Sequence, residues 1–317
     1  MSVVLTTSRA FSSCDAAQKI LTDAGHQLKM LTPQKPLNAS ELINEVKGVS
    51  AMLAGLDEIN ADVIRAASPT LKIIARNGVG YDKVDLLTAK ENNIRVTITP
   101  GANSLSVCEL AFSFITGLSR RIHLMDKSVR EKSWQRVAGI ELHGKTIGIL
   151  GTGAIGRHLA VRCHSFGMRV LAYDLSPSRE LVEKYGVTYT SDLNDIYQQA
   201  DFISLHLPAN KETWHMINRE TIGKMKQGTF IINTARGELI DDDALYEALS
   251  EGYLGGAGLD AFVAEPFLDD RFFQLDNVIL TPHTGAFTKE AADKTLIIAA
   301  EEIVRALSGK ENLFQIN

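Results

Sequence analysis

Short runs of aliphatic and β-branched residues alternate with helical patterns through the first hundred residues. Strand, helix and strand in repeated succession predict βαβ units, which build a parallel sheet through right-handed crossovers. This first series ends near Pro100. Its segments are VVLTT, CDAAQKILTDAG, HQLKML, ELINEVKG, SAMLAG, ADVIRAA, LKIIA, KVDLLTAKENN and IRVTI.

A helical stretch without strong breakers follows from Ser104 to Trp134, and a second strand series opens at Lys145. Its strands are continuous apolar runs, as is typical of a parallel sheet covered on both faces. They are KTIGIL, MRVLAYD, DFISLHLP, TFIINTA, GGAGLDAF and NVILTPH. A last helix from Thr288 keeps the 3.6-residue period and ends at Gly309. We therefore predict an α/β protein with two doubly wound parallel-sheet domains.

Composition and charge favour small molecules as partners. The net charge of -5 and the pI of about 5.9 provide no positive surface for nucleic acid or an anionic membrane. No apolar run approaches the ~18 residues that span a bilayer, and the amino terminus lacks the features of a signal peptide. Cys14, Cys108 and Cys163 are too dispersed to indicate a disulfide framework or a metal site. We expect a cytoplasmic protein with reduced, buried cysteines.

A glycine motif follows the first strand of the second series. Gly151, Gly153 and Gly156 form G-x-G-x-x-G between a strand and a helix, with Ala154 and Ile155 at the helix start. The glycines permit a tight turn, close approach of a pyrophosphate, and close packing of helix on sheet. Free N–H groups at the helix start attract phosphate. Glycine triplets also serve purely structural turns, so the context of the motif decides.

That context includes an acid at the end of the next strand. Asp174 lies 18 residues after Gly156, close to the spacing of about 20 residues expected for a ribose-binding carboxylate. A carboxylate there accepts both ribose hydroxyls and repels a 2′-phosphate, which favours NAD over NADP. Arg179 lies near enough to leave NADP open. The alternative interpretation, that Asp174 only caps a turn, explains the acid but not the whole motif.

Three residues whose side chains could take part in catalysis follow successive strands of the same series: Arg236, Glu265 and His283. Ligands bind at the carboxyl edge of an open α/β sheet, so these residues are expected to converge. Arg236 suits a bidentate grip on a carboxylate and can polarise a carbonyl. His283 can exchange a proton with a hydroxyl, and Glu265 would orient the imidazole and favour its protonated form.

Each of these residues also has a structural explanation. Arg236 could be a surface residue at a helix start, Glu265 a turn residue before Pro266, and His283 a buried histidine with its hydrogen bonds satisfied. Their joint occurrence beside a dinucleotide motif favours a hydride-transfer site for a 2-hydroxy acid.

In its sequence motifs the chain resembles the D-isomer-specific 2-hydroxyacid dehydrogenase family, and most closely its phosphoglycerate dehydrogenase branch. The motifs cover Arg76 to Ala286 almost continuously, and Arg236, Glu265 and His283 match the family's Arg, Glu and His one by one. The matching motifs are RNGVGYDKVDL, TPGANSLSVCELA, GKTIGILGTGAIGR, SLHLP, INTARGELIDDDAL, GAGLDAFVAEP and LTPHTGA.

The resemblance implies a Rossmann cofactor domain, residues 100–285, inserted in a flavodoxin-like substrate domain, residues 1–99 and 286–317. It also implies a homodimer joined through the cofactor domain, with residues 104–134 supplying much of the contact. NAD is the implied cofactor. No metal is expected.

The resemblance further assigns binding residues. The substrate carboxylate would meet the backbone amides of the loop Asn77, Gly78, Val79 and Gly80. Asp260 would lie near the nicotinamide carboxamide, and Ala235 would contact the cofactor through its carbonyl. His206, Pro208 and Thr213 would lie on the adenosine side, although His206 is equally well explained as an idle residue at a strand end.

The substrate is less well defined. Phosphoglycerate enzymes typically carry Arg-Ser where this chain has Ala54 and Gly55, so a phosphate would depend on Arg76, Lys83 or a partner chain. We expect 3-phosphoglycerate and phosphohydroxypyruvate as the substrate pair. The alternative is an unphosphorylated 2-oxo acid of the hydroxypyruvate or glyoxylate type. A more distant alternative is an NAD-sensing corepressor, which would bind NADH without turning over a 2-oxo acid.

Overall fold

The computed structural model describes residues 2–317, which form two compact units. The first unit comprises the chain up to Asn103 together with Phe287–Asn317, and the second comprises Ser104–Ala286. These limits lie within a few residues of the domain boundaries expected from the sequence. The roles expected for the two units, substrate binding and cofactor binding, stay predictions.

The first unit contains a five-stranded parallel sheet in the order β2-β1-β3-β4-β5. This is the flavodoxin-like strand order. The strands are β1 Val3–Thr6, β2 Gln27–Met30, β3 Ala51–Ala54, β4 Ile73–Arg76 and β5 Arg95–Thr97. The helices are α1 Asp15–Asp23, α2 Ala39–Glu45, α3 Ala61–Ala67, α4 Leu86–Glu91 and, from the end of the chain, α13 Lys289–Leu307.

Helices cover both faces of this sheet, so β3 and β4 are buried along their whole length. Leu296, Ala299 and Ile303 of α13 pack in one core cluster with residues of β1, β3 and β4. The 3.6-residue period of α13 therefore corresponds to one buried face. The carboxyl ends of the strands remain available for loops that carry polar residues.

The second unit contains a seven-stranded parallel sheet in the order β12-β11-β10-β9-β6-β7-β8. Counted within the unit, this is the Rossmann order 3-2-1-4-5-6 with one more strand, and the order reverses between β6 and β9. The strands are β6 Thr146–Leu150, β7 Arg169–Tyr173, β8 Thr188–Tyr189, β9 Phe202–Leu205, β10 Phe230–Asn233, β11 Gly256–Leu259 and β12 Val278–Leu280. The helices are α5 Ser104–Ser119, α6 Ile122–Arg130, α7 Ala154–Ser165, α8 Arg179–Tyr185, α9 Leu193–Gln199, α10 Arg219–Ile222, α11 Asp242–Ser250 and α12 Asp270–Phe273. The predicted fold class, two parallel-sheet α/β domains, is confirmed.

The prediction of one helical stretch from Ser104 to Trp134 was wrong. The stretch forms two helices, α5 and α6, separated by Arg121 in the left-handed region at φ 55°. The carbonyl of Ser119 accepts the N–H of Ile140 at 2.8 Å, so a returning segment takes an acceptor at the end of α5. Trp134 lies beyond α6 and has a φ of 53°. These contacts come from residues distant in sequence, which the local pattern could not reveal.

The three cysteines lie in the interior, as the sequence predicted. Cys14, Cys108 and Cys163 are buried and free of disulfides. Within residues 2–317, no helix combines the length and the apolar character needed to cross a membrane.

Candidate active site

Arg236, Glu265 and His283 all lie in the second unit, in segments that follow β10, β11 and β12. These three strands are neighbours in the sheet, with β11 paired to β10 on one side and to β12 on the other. Because the strands are parallel, the three segments leave from the same carboxyl edge. The fold therefore brings the three predicted residues to one edge of one sheet.

Glu265 and His283 form a hydrogen-bonded pair. The Nδ1 atom of His283 lies 2.8 Å from Oε1 and 3.0 Å from Oε2 of Glu265. Oε1 also accepts the backbone N–H of Phe262 at 3.2 Å. A carboxylate only accepts hydrogen bonds, so Nδ1 carries the proton and Nε2 is the nitrogen left for a second partner. Both side chains are partly exposed, as proton exchange with a ligand requires.

Asp260 holds the turn that carries His283. It is 1% exposed, and Oδ1 accepts the hydroxyl of Thr281 at 2.5 Å and the N–H of Thr284 at 2.7 Å. Oδ2 accepts the N–H of Gly285 at 2.8 Å. His283 has a φ of 52°, a conformation that non-glycine residues adopt only when their surroundings fix it. The buried carboxylate supplies that fixation from both sides of the histidine.

Arg236 lies on a turn that is also fixed from inside. Asn233, 1% exposed, donates its Nδ2 to the carbonyl of Arg236 at 2.8 Å and accepts the N–H of Ala235 at 3.0 Å. The guanidinium Nη1 donates to the carbonyl of Ala235 at 2.8 Å. A Cβ at Gly237 would collide with the backbone of Phe262 and Val263. Glycine there lets the Arg236 turn approach the segment that leads to Glu265.

The glycine motif forms the expected strand-turn-helix. A Cβ at Gly156 would collide with the carbonyl of Gly151, so α7 can approach the turn only with glycine at this position. A Cβ at Gly153 would meet nothing within 4 Å, which leaves open space above the turn. The first intrahelical bond is made by Arg157, so the N–H groups of Ala154, Ile155 and Gly156 precede it. The turn thus fits the phosphate groups of a dinucleotide.

Asp174 lies beside this turn. Its Oδ2 accepts the N–H and the hydroxyl of Thr152 at 2.6 and 3.0 Å, and its Oδ1 accepts the N–H of Ser176 at 2.8 Å. Burial acts to raise the pKa of Asp174, but the hydrogen bonds from Ser176 and Thr152 and the charge of Arg157 outweigh it and lower the pKa. The carboxylate is therefore ionised at neutral pH, as recognition of ribose hydroxyls requires.

Two buried polar atoms at the same edge have no hydrogen-bond partner among the described residues. They are Nδ1 of His206, after β9, and Oγ1 of Thr234, after β10. Burial lowers the pKa of His206 to about 4, and its Nε2 is paired with Ser204 at 2.8 Å, so the ring is neutral. Buried polar groups almost always have a partner, so two orphans at this edge fit a bound cofactor.

Comparisons with known proteins identify the family. Residues 112–285 match the family model of the D-isomer specific 2-hydroxyacid dehydrogenase NAD binding domain. A hydroxypyruvate reductase of Thermotoga maritima is 42% identical over 278 residues, which cover 86% of this chain and 89% of that protein. A D-3-phosphoglycerate dehydrogenase of Methanocaldococcus jannaschii is 40% identical over 297 residues, 93% of this chain. The chain spans only 56% of the length of that second relative.

A solved structure gives the same result. The NAD+-bound 3-phosphoglycerate dehydrogenase of Entamoeba histolytica has a TM-score of 0.84 and 27% identity, and the match covers 100% of this chain and 98% of that one. The chain belongs to the D-isomer specific 2-hydroxyacid dehydrogenase family. It is an NAD-binding enzyme of this family, and its relatives include enzymes of both phosphorylated and unphosphorylated acids.

In this dehydrogenase the loop that contains Pro208 and Thr213 is held by hydrogen bonds between its own residues. The Thr213 hydroxyl donates to the carbonyl of Pro208 at 2.7 Å and accepts the N–H of Asn210 at 2.9 Å. Pro208 is exposed. Contact of these two residues with the adenosine side of NAD stays a prediction.

The substrate loop Asn77–Gly80 belongs to the first unit. The N–H of Asn77 donates to the carbonyl of Ala54 at 2.9 Å, and the N–H of Gly78 donates to Oγ1 of Thr99 at 3.0 Å. These two amides are therefore engaged within the unit. The amides of Val79 and Gly80 make no hydrogen bond within residues 2–317, which narrows the prediction to these two donors.

Sequence reasoning missed the residues that position the candidate functional side chains. They are polar, lie at or just beyond the ends of buried strands, and bond backbone or side chains of the site. The set consists of Thr152, Asn233, Thr281 and Thr284. A polar residue that ends an apolar run was the signal that could have found Asn233, the last residue of β10.

Proposed function

We propose that this dehydrogenase catalyses the reversible, NAD-dependent reduction of a small 2-oxo acid to a D-2-hydroxy acid. The observation that carries the proposal is the Glu265–His283 pair at the same sheet edge as Arg236. A proton donor oriented by a carboxylate, together with a fixed cation, supplies what carbonyl reduction needs besides the hydride. NADH supplies that hydride when it is bound.

The chain's own residues have distinct roles in this proposal. Arg236 grips the substrate carboxylate and polarises the adjacent carbonyl, because its fork can make two charge-assisted hydrogen bonds. His283 donates a proton from Nε2 to the carbonyl oxygen during reduction and accepts it back during oxidation. Glu265 holds the ring by Nδ1 and stabilises the imidazolium. Val79 and Gly80 offer backbone N–H groups to the substrate carboxylate.

The cofactor contacts are proposed on the same basis. The N–H groups of Ala154, Ile155 and Gly156 with the open turn at Gly153 suit the pyrophosphate. Asp174 suits the adenosine ribose, and the unpartnered Nδ1 of His206 offers a polar contact nearby. Asp260, whose carboxylate already accepts hydrogen bonds from Thr281, Thr284 and Gly285, is a positioning residue for the His283 turn. The Ala235 carbonyl accepts from Arg236 and keeps a second lone pair for the cofactor.

The position of Arg76 bears on the choice between the two substrate candidates. The resemblance to phosphoglycerate dehydrogenases put the phosphorylated acid first, with Arg76, Lys83 or a partner chain as the source of phosphate binding. Arg76 is 2% exposed, and its Nε and Nη1 donate to the carbonyls of Gly80 and Ala54, so these two nitrogens are engaged inside the protein. This favours an unphosphorylated acid of the hydroxypyruvate or glyoxylate type.

The direct test follows NADH absorbance with hydroxypyruvate, glyoxylate and phosphohydroxypyruvate at matched concentrations. We expect turnover of at least one unphosphorylated acid, with formation of the D product. NADH binding without turnover of any 2-oxo acid would contradict the proposal and favour an NAD-sensing role.

Replacing Asp174 with alanine is expected to weaken NADH binding and to improve NADPH relative to NADH. The carboxylate accepts ribose hydroxyls and repels a 2′-phosphate, so its loss removes both effects. The measurement is kcat/KM with each cofactor at saturating 2-oxo acid. Asp192, an exposed helix-capping acid of the same unit, gives the matched control Asp192→Ala. An unchanged cofactor preference in Asp174→Ala would place ribose recognition elsewhere.

We also propose that the enzyme is a cytoplasmic homodimer joined through the second unit. Large apolar side chains in and after α6 are exposed, among them Ile122 and Val129 at 54% each and Trp134 at 70%. Several large exposed apolar side chains in one segment favour an interface with a second copy. The free, buried cysteines suit a reducing compartment.

Trp134→Asp is expected to convert this dimer to a monomer, because the substitution places a charge in the apolar contact. Light scattering coupled to gel filtration measures the mass. Val182→Asp introduces the same charge at an exposed apolar residue of α8 and should leave the mass unchanged. A Trp134→Asp protein that keeps the wild-type dimer mass would contradict the proposed interface.

A further inference from the structure

A directed chain of hydrogen bonds leads from the edge strand β8 to Asp174. The N–H of Ser178 donates to the phenol oxygen of Tyr189 at 3.1 Å, and the Tyr189 hydroxyl donates to Oγ1 of Thr152 at 2.9 Å. The Thr152 hydroxyl donates to Oδ2 of Asp174 at 3.0 Å. A carboxylate only accepts and each hydroxyl has one hydrogen, so the direction of the whole chain is fixed. We call Tyr189, Thr152 and Asp174 the hydroxyl relay.

The hydroxyl relay joins three adjacent strands of the second unit's sheet. β7 pairs with β6 on one side and with β8 on the other. Thr152 lies in the glycine turn after β6, Asp174 directly follows β7, and Tyr189 is the last residue of β8. Because the strands are parallel, these positions lie at the same carboxyl edge. The hydroxyl relay therefore lies beside the turn that is proposed to bind the pyrophosphate.

Asp174 is held in one orientation by its hydrogen bonds. A carboxylate offers about four acceptor positions. The N–H and the hydroxyl of Thr152 occupy two on Oδ2, and the N–H of Ser176 occupies one on Oδ1. The remaining position, on Oδ1, is the one that can accept a ribose hydroxyl. Rotation of the carboxylate would break bonds at both oxygens, so these bonds fix where that position points.

One phenol oxygen supports this arrangement at two points. Thr152 is 1% exposed and Ser178 is 6% exposed, so solvent has little access to either partner of Tyr189. Ser178 also begins α8, because its Oγ caps the helix by accepting the N–H of Leu181. Without the Tyr189 oxygen, the N–H of Ser178 would be a buried donor with no partner, which is unfavourable. The turn that contains Thr152 and the loop between Asp174 and Ser178 would then both be held less firmly.

We propose that Tyr189 is a positioning residue whose hydroxyl, through Thr152, holds Asp174 in place and so sets the preference of the enzyme for NADH over NADPH. The inference rests on the proposed function, because it concerns the residue assigned there to the adenosine ribose. A fixed carboxylate accepts a ribose hydroxyl at a set position and repels a 2′-phosphate at the same position. A carboxylate that is free to turn loses part of both effects, so binding of NADH weakens while binding of NADPH does not.

The test measures Kd for NADH and for NADPH by fluorescence titration of the purified full chain and its Tyr189→Phe variant. Phenylalanine removes the phenol oxygen and keeps the ring, which packs against the core of the unit. We expect Kd for NADH to rise by about three- to tenfold, the range for loss of one neutral hydrogen bond, and Kd for NADPH to stay the same or fall. The preference for NADH therefore narrows. A role confined to stability would weaken binding of both cofactors alike and leave the preference unchanged.

Tyr253→Phe is the matched control. Tyr253 is also a half-buried tyrosine of the second unit, and its hydroxyl donates to the backbone carbonyl of Met225 at 2.7 Å. The substitution removes one tyrosine hydrogen bond without touching the hydroxyl relay, so we expect the wild-type preference. Thr152→Val removes the middle hydroxyl of the relay and keeps a branched side chain, so it should narrow the preference as Tyr189→Phe does.

A double-mutant cycle tests whether Tyr189 acts through Asp174. In the Asp174→Ala background, the added Tyr189→Phe substitution should cause no further change in the preference for NADH over NADPH, because the carboxylate that Tyr189 positions is gone. An unchanged preference in Tyr189→Phe, an equal change in Tyr253→Phe, or a full further change in the Asp174→Ala background would overturn the inference.

Failure of the proposed function would look different. Titration requires no turnover, so a chain that binds NADH without reducing any 2-oxo acid would contradict the dehydrogenase proposal and leave the cofactor preference measurable. An Asp174→Ala variant that keeps the wild-type preference would overturn the ribose contact and the inference together. If circular dichroism shows that Tyr189→Phe does not fold, Thr152→Val takes its place, with the same expected and contradicting results.

Discussion

Replacing His283 with alanine is expected to lower kcat for 2-oxo acid reduction by about 10²- to 10⁴-fold, the usual contribution of a positioned general acid. Its Nδ1 is held by both carboxylate oxygens of Glu265, which directs the proton exchange to Nε2. Alanine leaves the carbonyl oxygen without that proton donor. The glycine turn and Asp174 are untouched, so NADH affinity, measured by fluorescence titration, should stay near the wild-type value.

The control for this variant is His158→Ala. His158 is an exposed histidine on α7, the helix that follows the glycine motif, and it takes no part in the proposed chemistry. Wild-type kcat in His283→Ala, or an equal loss in His158→Ala, would rule out His283 as the acid and base. Glu265→Gln should cause a smaller loss than His283→Ala, because glutamine can still accept from Nδ1 but cannot stabilise the imidazolium with its charge.

The sequence was sufficient to predict that Arg236 and His283 lie at one edge of one sheet. Arg236 and His283 each follow a continuous apolar run, and such runs predict buried parallel strands. The carboxyl ends of parallel strands lie at one edge of the sheet, so residues that directly follow neighbouring strands are expected at that same edge. The same logic predicted the two parallel sheets.

The hydrogen bonds that hold the turns of the site in place could not be predicted in this way. The partners of Asp260 lie 21 to 25 residues further along the chain, and which donors meet its carboxylate depends on how the turn after β12 folds. Arg76 illustrates the same difficulty for substrate choice. Its charge suggested phosphate binding, whereas burial and two backbone carbonyls direct its guanidinium inward. Side-chain direction at a loop is a tertiary property that no local pattern encodes.

The break at Arg121 has the same origin. Local propensity favoured continuous helix, but the Ser119 carbonyl is taken by Ile140, which returns from beyond α6. A hydrogen bond between residues 21 positions apart outweighed the local preference.

Arg236→Ala is expected to reduce kcat/KM for the 2-oxo acid by about 10²- to 10³-fold, the loss typical for removal of one group that stabilises developing charge. The KM for the acid should rise as well, because the guanidinium is proposed to hold the carboxylate in the ground state. Steady-state kinetics at saturating NADH separates the two effects. Arg179→Ala, which removes an 89% exposed arginine that forms an ion pair with Glu183 of its own helix, is the control.

Arg236→Lys makes this test sharper. Lysine keeps the positive charge but replaces the planar fork with a single ammonium group, so it cannot make two parallel hydrogen bonds to a carboxylate. Nor can it span from the Ala235 carbonyl to a ligand with the same geometry, because the guanidinium already uses Nη1 for that carbonyl. If the fork is what matters, Arg236→Lys should recover little of the activity lost in Arg236→Ala. Recovery to near the wild-type kcat/KM would show that charge alone suffices and would contradict the bidentate role.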